Sequence, residues 1–258
     1  MALALRLGVS LRAKAGATSP APLPALPFDP SALFASGEAG FLYDFSRPDT
    51  LFQGTAGTTP VASDGDFVGR VKSVAANEVD AIQAASAARP TWKGDFLRFF
   101  GSDDCLVTPL VPSPSFTMAI RFMQSAGSNS SVLMGARSSS STNAWIGLGS
   151  GGRLGAGVGT RNNTSLVDPT QANFNGVVSF GAVSWTPSSV KLYRDGILVD
   201  EEVPAGEPTA SVPIAIGALN AGGTPSFFAP ADIYNALAIN RELTASEIEA
   251  LASHWGTP

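Results

Sequence analysis

The sequence predicts an all-β protein, an antiparallel β-sandwich of jelly-roll type with a short C-terminal helix and an extended N-terminal arm. Charged residues make up only 14% of the chain, while 27 glycines and 19 prolines supply turns. This composition is typical of turn-rich β structure. Short alternating apolar segments separated by turn residues recur along most of the sequence, and only the C-terminal end has a well-defined helical pattern.

Residues 1–30 predict an attachment arm. Near the N-terminus, apolar residues alternate with small or polar ones, namely Leu3, Leu5, Leu7, Val9 and Leu11. This period of two indicates a β-strand with one apolar face, and the proline-rich stretch that follows favours an extended linker. An isolated strand cannot satisfy its own backbone groups, so it must pair with its own body, a sister subunit or another protein.

The globular body spans residues 31–258, and its first part contains a series of predicted strands. Residues 116–122 alternate strictly and predict a strand buried on one face, whereas residues 177–185 are apolar throughout and predict a central strand. Residues 75–88 predict a loop or a short helix. The remaining predicted strands are residues 41–44, 67–71, 95–100, 132–134 and 144–148.

Two turns organise the next part of the chain. Asp195-Gly196 lies between two apolar runs, and a two-residue Asp-Gly loop favours a type I′ hairpin because both central residues take positive φ. Residues 186–189, Thr-Pro-Ser-Ser, predict a second tight connection. Three consecutive strands joined in this way predict an antiparallel meander.

The C-terminal helix has clear boundaries. Thr244 and Glu247 have the spacing of a capping box, and Leu243 and Ile248 have that of a hydrophobic staple. Gly256 stands where a residue without Cβ favours helix termination.

These features together resemble the laminin-G-like, concanavalin A-like sandwich. The resemblance rests on the Tyr-x-Asp-Gly hairpin at 193–196, the Ile-Gly strand at 216–217 and the ending NRELTASEIEAL at 240–251. Upstream, residues 28–61 and 87–106 resemble segments that precede such domains in bacteriophage and prophage tail or virion proteins. The resemblance implies the fold and a phage context, but this fold hosts many functions.

The sequence offers little catalytic machinery, and we expect no enzymatic activity. His254 is the only histidine and fits a helix end, while Cys105 is the only cysteine and lies in an apolar run. The neighbouring acids at 103–104 and 201–202 point to opposite faces of a strand, so neither pair can act on one sugar. No cofactor is predicted, although Asp168 is a candidate ligand for Ca²⁺.

Polar loops at one rim of the sandwich are the candidate ligand-binding region, and the alternative is that they are solvated turns. Amide groups hydrogen-bond sugars and an aromatic face stacks on them. Trp145 is the aromatic residue of interest, with burial in the core as its alternative. The candidate ligand-binding residues are Asn143, Trp145, Arg161, Asn162, Asn163 and Asn220.

We therefore expect a virion structural protein, such as a tail fibre, spike or surface decoration. The arm would bind other virion proteins, and the outward sandwich would bind host surface glycan. The alternatives are a free carbohydrate-binding module or adhesin, and a polysaccharide-degrading enzyme. We also expect a homo-oligomer. Because Arg6 and Arg12 interrupt the apolar N-terminal run, we expect no signal peptide and synthesis in the host cytoplasm. The net charge of −5 and the lack of long apolar runs argue against nucleic-acid binding and membrane insertion.

Overall fold

The computed structural model describes residues 28–75, 79–125, 130–138, 142–149, 151–160, 165–170, 174–204 and 211–256. In these residues two β-sheets pack face to face, and one α-helix, α1 (Ala245–His254), covers the outer face of the first sheet. The predicted antiparallel sandwich with a short C-terminal helix is confirmed. The predicted strand of the N-terminal arm lies outside the described residues.

Most strands are short, and the longest form the centre of the first sheet. The strands in chain order are β1 (Gly40–Asp44), β2 (Leu51–Phe52), β3 (Arg70–Val71), β4 (Ala81–Ile82), β5 (Thr91–Trp92), β6 (Leu97–Phe100), β7 (Leu106–Val107), β8 (Phe116–Gln124), β9 (Ser131–Arg137), β10 (Thr142–Leu148), β11 (Leu154–Thr160), β12 (Ser165–Val167), β13 (Val178–Thr186), β14 (Ser189–Arg194), β15 (Ile197–Glu202), β16 (Ala215–Ile216), β17 (Leu219–Ala221), β18 (Thr224–Ser226) and β19 (Pro230–Ile239). Three short 3₁₀ helices occupy Pro30–Phe34, Pro48–Thr50 and Ser86–Ala88.

The two sheets differ in size and strand order, with 8 strands in the first and 11 in the second. The first sheet has the order β15-β14-β13-β8-β19-β6-β5, and β1 also pairs with β19. The second sheet has the order β12-β11-β10-β9-β16-β7-β4-β3-β2, with β17 and β18 attached beside β9. Among the named strands, only β17 and β9 pair in parallel. The predicted central position of residues 177–185 is confirmed, because β13 lies between β14 and β8.

The prediction that residues 116–122 are buried on one face only is wrong. Phe116, Met118 and Ile120 lie in the core between the sheets, as the alternation predicts. On the opposite face Ala119 is also fully buried, since it belongs to the apolar layer beneath α1. The helix turns what would be a solvated face into a second core.

The Asp-Gly hairpin between β14 and β15 is confirmed. Asp195 has φ +50° and Gly196 has φ +82°, the left-handed pair that a type I′ turn requires. The Asp195 carboxylate also accepts a hydrogen bond from the backbone N–H of Phe180 at 2.9 Å, which links the turn to β13. The predicted tight turn between β13 and β14 is confirmed as well, with Thr186 paired to Ser189.

The predicted capping box of α1 is confirmed. The Thr244 hydroxyl accepts from the Glu247 backbone N–H at 3.2 Å, and Glu247 Oε2 accepts from the Thr244 N–H at 2.8 Å. Leu243 just before the helix and Ile248 within it are both fully buried in the same apolar cluster, as a hydrophobic staple requires. Gly256 has φ +73° and ends the helix in the left-handed conformation.

The chain between β1 and β6 is less regular than predicted. Of residues 67–71 only Arg70–Val71 form a strand, and within 75–88 the described residues contain β4 and a 3₁₀ helix. Side chains hold this region instead of long ladders. The Arg89 guanidinium, for example, donates to the backbone carbonyls of Gln53, Gln83 and Ala84, each at 3.0 Å. In the described part of the chain, no helix has the length and apolarity needed to cross a membrane.

Candidate functional site

A cleft of about 270 Å³ opens on the outer face of the second sheet. Ala144 and Ile146 of β10 point into the core, so Asn143 and Trp145 point outwards. The cleft is lined by Ser130, Ser131, Val132, Arg137, Asn143, Trp145, Leu148, Gly149, Leu219 and Phe227. We call it the Trp145 cleft.

Trp145 lies flat because both of its cross-strand partners are glycines. It pairs with Gly135 on β9 and with Gly157 on β11. A Cβ atom on Gly157 would lie 2.2 Å from the indole Nε1, and one on Gly135 would lie 2.6 Å from the Trp145 Cβ. The indole therefore rests on backbone that only glycine leaves open. Since its side chain is only partly buried, it offers an aromatic platform to the cleft.

Polar groups surround this platform without satisfying one another. Asn143 and Arg137 are direct cross-strand partners, so their side chains share the outer face. The Arg137 guanidinium lies over the Phe227 ring, 5.6 Å from its centroid. Within the described residues, the Asn143 amide, the Arg137 guanidinium and the Trp145 indole N–H make no hydrogen bond. These donors and the amide acceptor are available to a ligand.

Two residues at the rim have an unusual backbone conformation. Ser130 has φ +65° and Phe227 has φ +52°, a region that L-residues other than Asn and Asp seldom occupy. Phe227 is 50% exposed, and its carbonyl accepts a hydrogen bond from Val132 N–H at 2.8 Å. Such outliers concentrate at binding sites, where the surrounding structure holds them in place. Their presence here supports the Trp145 cleft as a functional site.

The structure brings together two of the six predicted ligand-binding residues. Asn143 and Trp145 meet in the cleft, and Trp145 lies on the outer face of the sheet rather than in the core. Asn220 is buried elsewhere: its Nδ2 donates to the Pro213 carbonyl at 2.8 Å, and its Oδ1 has no hydrogen-bond partner in the described residues. Arg161, Asn162 and Asn163 lie outside the described residues.

Two cleft residues that the sequence did not point to are Arg137 and Phe227. Arg137 ends a strand whose outward face becomes evident only from its register with β10. Phe227 comes from a segment 90 positions further along the chain, and only the tertiary fold brings the two together. An arginine that ends a strand with the apolar run Val132–Met134 is the one local signal for this site.

Asp168, the candidate Ca²⁺ ligand, is occupied by protein partners. It is fully buried and accepts hydrogen bonds from Thr170 N–H at 2.9 Å and from the Thr170 hydroxyl at 2.7 Å. It also forms an ion pair with Arg194. No cluster of three or more His, Cys, Asp or Glu side chains with metal-binding geometry occurs in the described residues. A Ca²⁺ site at Asp168 stays a prediction, and no further carboxylate groups gather around Asp168 in the described residues to support it.

The residues considered for catalysis lie apart from the cleft. Cys105 is buried, and burial raises the pKa of its thiol to about 11, which keeps it protonated and a poor nucleophile. Asp104 is buried and accepts from Phe100 N–H at 2.7 Å, whereas Asp103 is exposed. His254 ends α1 and makes an edge contact with Phe28, their ring centroids 6.1 Å apart. None of these residues lines the Trp145 cleft.

A wider groove of about 800 Å³ runs beside α1 on the first sheet. Among its polar groups, Asn235 donates to Asp44 Oδ1 at 3.3 Å. The Arg121 guanidinium lies over the Tyr234 ring at 4.7 Å, and its buried Nε has no hydrogen-bond partner in the described residues. Phe28 forms part of its wall, and the residues that precede Phe28 lie outside the described chain. We take the Trp145 cleft, which places a partly exposed indole beside polar side chains, as the candidate functional site.

Comparison with known proteins agrees with this architecture. The fold is similar to that of a Trypanosoma rangeli sialidase solved in complex with sialic acid, with a TM-score of 0.56 and 16% identity over 84% of this chain and 33% of the sialidase. It is also similar to the botulinum neurotoxin serotype D binding domain, with a TM-score of 0.54 and 11% identity over 71% of this chain and 48% of that protein. The chain thus spans less than half the length of each structure, and these likenesses concern the fold alone. No curated protein sequence matches the chain.

The family assignment rests on the sandwich itself. Residues 101–249, more than half of the chain, match the laminin-G-type family described as the concanavalin A-like lectin/glucanases superfamily. This stretch contains β7 to β19, the start of α1 and the whole Trp145 cleft. The chain therefore belongs to the concanavalin A-like lectin/glucanases superfamily.

Proposed function

We propose that this protein is a non-catalytic glycan-binding module whose ligand stacks on Trp145. The observation that carries the proposal is the indole lying on glycine backbone, partly exposed, beside polar groups without hydrogen-bond partners in the described residues. A sugar ring offers an apolar C–H face for the indole and hydroxyl groups at its edge for hydrogen bonds. The Trp145 cleft has both kinds of surface within one small volume.

The residues of the cleft suit binding rather than glycoside hydrolysis. Hydrolysis normally requires two carboxyl groups, one acting as general acid and the other as base or nucleophile. Among the described residues, none that lines the Trp145 cleft is an aspartate or a glutamate. The charged side chain among its described lining residues is the Arg137 guanidinium, which donates hydrogen bonds and accepts none. We therefore retain the expectation that the protein is not an enzyme, as part of the proposal.

A glycan array followed by titration calorimetry tests the proposal. The array includes neutral, acidic and sialylated glycans, the last because a sialidase of similar fold was solved with sialic acid. For a glycan that the wild-type protein binds, Trp145→Ala should weaken the affinity at least about 10-fold, because the variant loses the apolar area that the indole buries and, beyond it, the roughly 0.5–1.5 kcal/mol of an aromatic contact.

Phe100→Ala is the matched control, since Phe100 is a 61% exposed aromatic residue outside the cleft. This variant should bind as the wild-type protein does. Equal binding by Trp145→Ala and wild type would exclude the cleft as the site. Release of new reducing ends from a bound glycan would contradict the non-catalytic part of the proposal.

The phage virion role and the location in a virion also remain proposals. They rest on the resemblance of residues 28–61 and 87–106 to segments of phage tail and virion proteins, and on the predicted arm at residues 1–30. In this role the arm would attach the protein to the particle and the Trp145 cleft would face outwards. Deleting residues 1–30 should abolish incorporation into particles and leave glycan binding intact. Normal incorporation of the deletion variant would refute the attachment role.

A further inference from the structure

The first sheet ends in the edge strand β15, which exposes large apolar side chains. β15 pairs with β14 on one side, and no other described strand pairs with it. Ile197 is 70% exposed and Leu198 is 44% exposed, and Val203 just beyond the strand is 80% exposed. Proteins usually protect such edges, because a free row of backbone donors and acceptors is a template for another strand. Exposed apolar side chains on this edge indicate a partner.

The same edge carries concentrated negative charge. Asp200, Glu201 and Glu202 follow one another in β15, which contains no basic residue. Asp200 Oδ2 accepts a hydrogen bond from Val167 N–H of β12 at 3.0 Å, so this end of β15 is fixed against the second sheet. The edge is therefore anchored to the second sheet, with apolar residues in the first half of β15 and acidic residues in the second. A complementary strand must offer apolar side chains and basic ones.

We propose that residues 2–12 of this protein add to β15 as a further strand of the first sheet. Their alternating leucines and Val9 match the apolar side chains of the edge, and Arg6 supplies a basic side chain for its acidic half. Residues 1–28 contain no acidic residue, so nothing in this segment opposes the charge of β15. Charge of one sign on an edge repels general strand pairing, while a basic segment of the same chain is accepted.

The length of the chain before Phe28 permits this pairing. Phe28 contacts His254 at the end of α1, and Gly196, just before β15, faces Glu249 and Ala252 of the same helix. Both points thus lie along α1, whose 10 residues span about 15 Å. The proline-rich linker at residues 13–27 can extend about 45 Å at roughly 3.1 Å per residue. It reaches the β15 of its own chain or that of a neighbouring copy.

Hydrogen–deuterium exchange of the full-length protein tests the proposal through a peptide covering residues 197–203. In Leu5→Asp/Leu7→Asp, which places charges on the apolar face of the segment, exchange of this peptide should become at least about 10-fold faster. The matched control is Leu23→Asp/Leu26→Asp, with the same change in the linker, which should exchange like the wild type. Neither pair of positions lies in the cores of the described residues, so the temperature of unfolding serves to check the fold.

Charge reversal provides an independent arm of the same experiment. Glu201→Lys/Glu202→Lys should speed exchange at β15, and adding Arg6→Glu/Arg12→Glu should slow it again. Protection that rises with protein concentration, together with a larger mass in sedimentation, assigns the segment to a second copy; protection independent of concentration assigns it to the same chain. Identical exchange of the peptide in the wild type and in Leu5→Asp/Leu7→Asp would overturn the proposal. Glycan binding at the Trp145 cleft does not enter this test.

Discussion

Trp145 owes its orientation to residues without side chains. Gly157 is directly opposite on β11, and the Cβ of any other residue there would fall 2.2 Å from the indole Nε1. The φ of Gly157 lies outside the left-handed region, so alanine fits the backbone and only the indole must move. Gly157 is thus a specific requirement of the platform and not only part of a glycine-rich stretch.

Gly157→Ala should therefore impair binding more than folding. We expect the affinity for a bound glycan to fall about 10-fold, because the displaced indole no longer presents its face. The free energy of unfolding should change by less than about 1 kcal/mol, since alanine is compatible with the strand. Calorimetric titration and urea denaturation measure the two quantities. Gly54→Ala is the control, because its Cβ would meet no atom within 4 Å. Normal glycan binding by Gly157→Ala would refute the role of this glycine in orienting the indole.

The same residues show what sequence reasoning can predict at this scale. Asn143 and Trp145 could be singled out because an amide beside an aromatic residue in a polar stretch is a local signal. Arg137 and Phe227 could not, because their proximity depends on strand register and on a chain segment 90 positions away. Asn220 has the right side chain in a similar stretch, yet it is buried with its amide on the Pro213 carbonyl.

At the scale of elements, α1 was predictable in its boundaries but not in its attachment. The capping box, the staple and Gly256 are local patterns, and all three occur as predicted. Arg241 lies outside these patterns, but its guanidinium donates to both Glu247 carboxylate oxygens, at 2.9 and 3.1 Å. The outer burial of β8 was likewise missed, because alternation on a strand says nothing about a helix that packs over it from elsewhere.

The carboxylate of Glu247 should make the stability of the protein depend on pH. Hydrogen bonds from Arg241, and then from Thr244, hold the pKa of Glu247 below its ordinary value of 4.5. A lowered folded-state pKa means that the ionised form is stabilised by folding. This contribution is complete above the unfolded-state pKa and is lost as the pH falls through the lower folded-state pKa. The wild-type protein should therefore lose free energy of unfolding between pH 5 and pH 3 in part through this group.

Glu247→Gln should lower the free energy of unfolding at pH 7 and flatten this acid limb. Urea denaturation at several pH values between 7 and 3 measures both effects. Glu249→Gln is the control, because Glu249 is exposed on the same helix and its side chain forms no hydrogen bond within the described residues. Its curve should parallel that of the wild type. Equal slopes for Glu247→Gln and the wild type in the acid range would contradict this account.

At the scale of the whole molecule, the sandwich is closed by polar contacts as well as by its core. Asp168 follows β12 in the second sheet and pairs with Arg194 at the end of β14 in the first. Asp200 of β15 accepts from Val167 of β12, which adds a second contact across the same edge. Both join segments far apart in sequence, so neither follows from local pattern. The sequence predicts Asp168 as a candidate Ca²⁺ ligand, whereas in the structure its carboxylate pairs with the Arg194 guanidinium.

Arg194→Ala should strongly destabilise the whole fold, because it leaves the fully buried Asp168 carboxylate without its counter-ion. Removing one partner of a buried pair costs about 3–5 kcal/mol of unfolding free energy, and urea denaturation measures the loss. Adding Asp168→Asn should restore part of the lost unfolding free energy, since the amide carries no charge to leave unpaired.

Arg47→Ala is the control, because Arg47 and Asp49 are 50% and 63% exposed and such a pair contributes about 0–1 kcal/mol. If Arg194→Ala were no more costly than Arg47→Ala, the pair would not hold the sheets together. If added Ca²⁺ stabilised Arg194→Ala but not the wild type, Asp168 would have the cation affinity that its sequence context suggests, masked by the arginine.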